Sequence, residues 1–165
     1  MLSRSLIAGA LAVALGAPSA SAQQGPPVPG VYSEYRADAI VGRHPAGELG
    51  AGVVLPVGIY VRTGFDAAAG AVWENGAPRA AARTDAIARF LLDPFREVPI
   101  GISVGGGLSL AYVDGDRVRP YVVAVVDIEG ERHRGMAGIT PALELGLGGG
   151  ARIGVVLRRS PIRYR

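Results

Sequence analysis

From Val31 onward the hydrophobicity of this chain alternates with a period of two, in eight successive stretches separated by turn residues. Side chains that alternate between an apolar and a polar face belong to β-strands, and a helix would repeat every three to four residues instead. In the first stretch Val31, Tyr35, Ala37, Ala39 and Val41 oppose Glu34, Arg36 and Asp38. The second places Leu49, Ala51, Val53 and Leu55 on one side and breaks at Pro56-Val57-Gly58. In the third, Ile59, Val61, Phe65, Ala67 and Ala69 oppose Arg62 and Asp66. The fourth, Ala81 to Leu92, is rich in Ala and Arg, yet its charges Arg83, Asp85 and Arg89 keep the two-residue period until Asp93-Pro94 stops it.

The fifth stretch, Ile100 to Tyr112, has bulky residues on one face and only Gly101, Ser103, Gly105, Gly107, Ser109 and Ala111 on the other. Asp114-Gly115-Asp116 then signals a hairpin into the sixth, Arg117 to Ile128, where Val118, Val122 and Val126 oppose Arg119, Tyr121 and Asp127. The seventh, Ile139 to Leu147, opposes Leu143 and Leu145 to Glu144, and the eighth, Ala151 to Arg159, opposes Ile153, Val155 and Leu157 to Arg152 and Arg158. Eight amphipathic strands joined mostly by short turns predict an all-β fold, an eight-stranded antiparallel up-and-down β-barrel.

Periodicity does not say which face points inward, but the chemistry of the polar face does. Its charged members are Glu34, Asp38, Asp66, Asp85, Asp93, Asp127 and Glu144 against Arg36, Arg62, Arg83, Arg89, Arg119, Arg152 and Arg158, a balance of seven acids and seven bases. The chain contains no Lys, so every base is an arginine, the residue best suited to multidentate pairing with carboxylates. An eight-strand lumen is narrow and is filled by side chains that must satisfy one another, and the Gly and Ser face of the fifth stretch makes room for long guanidinium groups. The Val, Leu, Ile and Ala face suits lipid. These fourteen residues are therefore expected to line the lumen of a transmembrane barrel. The alternative, with the faces exchanged, is a soluble periplasmic β-barrel of the lipocalin kind that binds a small apolar ligand.

The ends agree with export. Arg4, the apolar run Leu6 to Leu15 and Ala20-Ser21-Ala22 read as a signal peptide over residues 1–22 with cleavage near Ala22, since about ten apolar residues are half of what a spanning helix needs. Residues 23–30, with Pro26, Pro27 and Pro29, form an irregular leader, 31–159 the barrel and 160–165 a tail. No apolar run after residue 22 is long enough for a membrane helix, so a membrane-bound mature chain must be a closed barrel, which satisfies its backbone internally. The absence of cysteine excludes disulfides and thiolate metal sites. The net charge of +3 and pI of 9.7 come from scattered arginines interleaved with acids, and no basic run speaks for nucleic acid.

On this pattern of export signal, eight amphipathic segments and charged lumen, the chain resembles the small outer-membrane β-barrel family of the OmpA transmembrane-domain and OmpX type, across about Val31 to Arg159. The resemblance implies a plugged lumen without a wide pore, both termini on the periplasmic side, and insertion by the barrel-assembly machinery into bacterial outer-membrane lipid, as a monomer. Three features depart from the family pattern. The terminal aromatic, Tyr164, stands one place early; Pro120 and Pro141 fall within strands, where each removes a ladder donor and marks a strand start or bulge; and the external loops at Gly42–Gly47, Val72–Ala80, Asp114–Asp116 and Leu147–Gly150 are short.

Some barrels of this size are lipid A deacylases or palmitoyl transferases, which require a serine, a histidine and an orienting carboxylate in reach of one another. Here the two histidines, His44 and His133, lie in loops at opposite ends of the predicted meander, so no catalysis is expected. No metal and no other cofactor is expected either, because two isolated histidines supply no ligand spacing. Gly105-Gly106-Gly107 and Gly148-Gly149-Gly150 lack the following helix and Lys of a phosphate loop and read as a narrow strand face and a hairpin turn. Trp73 is the candidate interfacial anchor.

Overall fold

A computed structural model describes residues 30–95, 99–130 and 138–159. They form eight strands: β1 (Tyr32–Val41), β2 (Ala46–Val57), β3 (Val61–Glu74), β4 (Ala77–Leu91), β5 (Gly101–Val113), β6 (Arg119–Glu129), β7 (Ile139–Leu147) and β8 (Ala151–Arg159). Each strand pairs antiparallel with its chain neighbours, and β8 closes on β1 in the register Ala37↔Val155. The architecture is the predicted closed up-and-down barrel, with no helix among the described residues. Closure gives every strand a partner on both sides, so the sheet has no edge strand.

The turns follow from their residues. Asn75 and Gly76 both adopt positive φ, 52° and 79°, as a two-residue hairpin with the native strand twist requires. The expected loop over Val72–Ala80 is therefore replaced by this turn: β3 continues to Glu74 and β4 starts at Ala77, four residues before the predicted start. The prolines lie near strand starts. Pro120 is the second residue of β6, on a stretch that pairs only with β5, because the β6–β7 ladder begins at Ala124. Pro141 is the third of β7, and its carbonyl accepts the Gly130 amide at 2.8 Å.

The wall is uneven. Strands β3, β4 and β5 run 13 to 15 residues, whereas β7 and β8 have nine each. The barrel thus has a high side at β3–β5 and a low side at the Gly148-Gly149-Gly150 turn, and this shapes its mouth.

Outward positions are apolar and exposed over all eight strands, including Leu49, Phe65, Phe90, Leu108, Val122, Leu145 and Val155. The interior is the reverse. Among the described residues Ile87, Val123 and Val125 form a cluster of buried apolar side chains, and the other largest fully enclosed side chains are Glu34, Glu144 and Asp127 with Val54 and Val156. Glycine makes this possible where a Cβ would collide: one at Gly64 would lie 2.7 Å from Arg89 Nη1, one at Gly50 3.0 Å from Arg36 Cγ, and one at Gly154 would overlap the Asp38 carboxylate.

Candidate functional site: an arginine and carboxylate lumen

Alternation sends every second residue of each strand inward, and antiparallel closure brings residues far apart in sequence to one level of the barrel. Arg36 on β1 is the hub. Its Nε donates to Asp38 Oδ2 at 2.8 Å and its Nη1 to Asp66 Oδ2 at 3.0 Å, while Nη2 bonds both Asp38 and Glu144 of β7. Arg83 on β4 bonds Glu48 at 2.8 Å and also Asp85 and Asp38. Below them, Arg152 on β8 joins Asp85 (2.6 Å) to Glu144 (2.9 Å). Arg89 pairs with Asp127 at 2.8 Å through Nε and bonds Glu144 through Nη2.

Toward the other end, Arg158 uses three nitrogens on three carboxylates, Glu34 (2.9 Å), Glu129 (2.6 Å) and Asp127 (3.0 Å). Arg62 also reaches Glu129 and lies 5.7 Å over the Tyr32 ring. Ser103 Oγ donates to Asp127 at 3.2 Å. The result is a continuous ladder of guanidinium and carboxylate from β2 near the mouth to the opposite end. A side chain with five donors in a rigid fork can serve three or four acceptors, which Lys could not do from a point charge.

Of the fourteen residues expected in the lumen, eleven are buried there: Glu34, Arg36, Asp38, Asp66, Arg83, Asp85, Arg89, Asp127, Glu144, Arg152 and Arg158. Arg62 is half-buried at the end opposite the mouth. Asp93 lies two residues past the end of β4 and is half-buried beside Ser103 and Glu129. One expectation is corrected: Arg119 stands 64% exposed at the mouth, bonded to Asp116 of the adjoining turn. Glu48 and Glu129 join the set, both buried. Each continues a readable alternation by one step: Glu48 precedes Leu49 on β2, and Glu129 follows Asp127 and Ile128 on β6.

The even balance of charges is corrected with them. Among the described residues the buried set holds eight carboxylates and five arginines, with Arg62 a sixth at the margin. Hydrogen-bond supply replaces charge parity, since each guanidinium is shared by several acids.

At the mouth, Arg79 ties two hairpins together: it bonds Glu74 of its own hairpin, the Asp114 carbonyl (Nε, 3.1 Å) and Asp116 Oδ1 (3.2 Å). His44 Nε2 lies 3.6 Å from Glu74 Oε1, which adds the β1–β2 turn to this rim. His133 lies outside the described residues. Among the described residues no group of three His, Asp or Glu side chains is placed to hold a metal ion.

No protein-family model matches the chain, and no curated protein matches it in sequence. Among solved structures it is similar to Neisserial surface protein A (NspA), at 12% identity and a TM-score of 0.49, over 79% of this chain and 96% of that one. It is also similar to the N-terminal β-barrel domain of Pseudomonas aeruginosa OprF, at 14% identity and a TM-score of 0.49, over 79% of this chain and 97% of that one. Likeness at this level assigns neither a family nor an activity.

Proposed function

We propose that this protein is a small integral barrel of a bacterial outer membrane, with a structural, barrier-keeping role and a lumen plugged by its own side chains. One observation carries the reading, the inversion of polarity between the two faces of one sheet. Outward side chains are exposed Leu, Val, Ile and Phe on all eight strands, and the inward face carries eight buried carboxylates and five buried arginines in ion pairs, among smaller apolar side chains. Water would penalise that exterior, whereas hydrocarbon accepts it, and closure lets the strands satisfy their backbone groups within the sheet. Strands of 9 to 15 residues match the roughly 9–11 that a tilted strand needs to cross a bilayer.

The plugged lumen is supported by the ladder itself. Moving a solute through would require parting Arg36 from Asp38, Asp66 and Glu144 at a level where all are buried. The same ladder speaks against the soluble carrier of an apolar ligand, whose interior would have to be apolar. A catalytic role finds no hydrogen-bonded serine and histidine among the described residues, where His44 has Glu74 at 3.6 Å and no bond to a serine.

Expression of the full chain in a bacterium, followed by envelope fractionation and electrophoresis with and without boiling, tests the reading. The expected result is an outer-membrane band whose mobility shifts on boiling. A soluble periplasmic band without a shift would overturn it. In planar bilayers the purified barrel should add no sustained conductance at neutral pH, and discrete ohmic steps would remove the plugged lumen.

A further inference from the structure

The mouth of the barrel, between the high β3–β4–β5 wall and the low β7–β8 turn, encloses a cavity of about 530 Å³. That volume lies within the range of small-molecule sites. Glu48 and Arg83 close its floor, bonded to each other at 2.8 Å. Part of its wall is apolar, from Ile40, Val72 and Val113.

The polar groups of the cavity divide unevenly. Every carboxylate is already engaged by arginine: Glu48 by Arg83, Glu74 by Arg79, and Asp116 by Arg79 on one oxygen and Arg119 on the other. The donors are not used up. Arg43 is exposed and has no ion-pair or hydrogen-bond partner among the described residues. Arg119 spends one nitrogen on Asp116 and is otherwise open to solvent. The Tyr121 hydroxyl has no partner among the described residues, and its ring is held upright against the low wall, where a Cβ on Gly149 would come within 3.1 Å of it.

A concave site whose carboxylates are each paired with an arginine, and which has arginine donors to spare, favours an acceptor-rich guest. We infer that the mouth is a binding site for a small organic anion, a carboxylate or phosphate on a compact apolar body. Arg43 and Arg119 would take the anionic group, the Tyr121 hydroxyl would donate beside it, and the apolar wall would take the body. Arginine presents carboxylate and phosphate with a planar fork of donors, and a cation of the same size would meet only groups of its own sign or acids already paired. The site does not depend on what surrounds the barrel, so it stands or falls separately from the membrane reading.

The test uses the full mature barrel in uncharged detergent, titrated with benzoate and phenyl phosphate by calorimetry and compared with benzylammonium and with empty micelles. The expected result is saturable one-to-one binding of at least one anion and none of the cation. Affinity should fall about a hundredfold in Arg43→Gln/Arg119→Gln, two charge-assisted hydrogen bonds, and about tenfold in Tyr121→Phe, one hydrogen bond to an ionised acceptor. Arg117→Gln, an exposed charge beside the cavity, should leave it unchanged. A β-sheet circular dichroism spectrum matching that of the unmutated protein shows that each variant is folded. Equal binding of benzylammonium, no saturation by either anion, or full affinity in the double variant would overturn the site. Repeating the titration in vesicles separates two sources of the anion: competition by anionic lipid marks a headgroup, and equal affinity in neutral and anionic vesicles marks a free solute.

Discussion

The middle of the lumen and its mouth use the same residue types to opposite ends. At the level of Arg36, Asp66 and Glu144 the side chains are buried, and each guanidinium is shared among several carboxylates from different strands. At the mouth, Arg43 and Arg119 are exposed, and an ion pair such as Arg79 with Asp116 links one hairpin to the next. Solvent makes the difference. A buried charge without its partner costs several kcal/mol, so each buried arginine of the middle is tied to at least two carboxylates, whereas water satisfies a free guanidinium at the rim. Rigidity therefore belongs to the middle and recognition to the mouth.

The strongest way to break this contrast is to remove a shared partner in the middle. Glu144→Ala strips an acceptor from Arg36, Arg89 and Arg152 together and should destabilise the barrel by about 3–5 kcal/mol, read from urea unfolding in lipid vesicles. A loss below about 1 kcal/mol would show the middle to be as solvated as the rim. The outer surface of the same wall comes next. Leu108→Arg, near the centre of β5 and exposed, should cost about 2–4 kcal/mol in a bilayer. An unchanged unfolding curve there would mean that this surface faces water.

Gly107→Ala sharpens the account of how the middle is packed. Its Cβ would press into the backbone of Ala86 and Ile87 on the adjoining strand, which cannot swing aside, and the expected cost is about 1–3 kcal/mol. A neutral result would place spare room behind β5. The smallest effect belongs to the rim. Arg119→Ala should change stability by no more than about 1 kcal/mol, because its pair with Asp116 is solvent-screened, and a larger loss would give the mouth the character of the middle.

Much of this was legible before any coordinates. Alternation alone shows that Glu34, Arg36 and Asp38 share a face, and the Gly and Ser face of β5 announces that something large lies opposite. Strand ends were less legible. Asn75-Gly76 is a two-residue turn signal hidden in a stretch of small residues that also reads as a loop, so β3 and β4 look shorter than they are. The same uncertainty hid Glu48 and Glu129, one step outside the predicted stretches, and admitted Arg119, which stands where the pattern continues but the barrel no longer encloses it.

What the sequence by itself determined is the number of strands, the two faces of each, and the kind of chemistry on each face, because those are local consequences of a two-residue period. Only the tertiary structure decided who pairs with whom. Arg36 meets Asp66 thirty positions away and Glu144 a hundred and eight positions away through the registers of β1 with β2, β2 with β3 and β7 with β8, and through closure of β8 on β1. It also decided that eight acids can share six arginines and that the unequal lengths of β3–β5 and β7–β8 open a cavity at one end. Partners across a lumen are set by register and shear, which are properties of the closed sheet, and no single strand carries them.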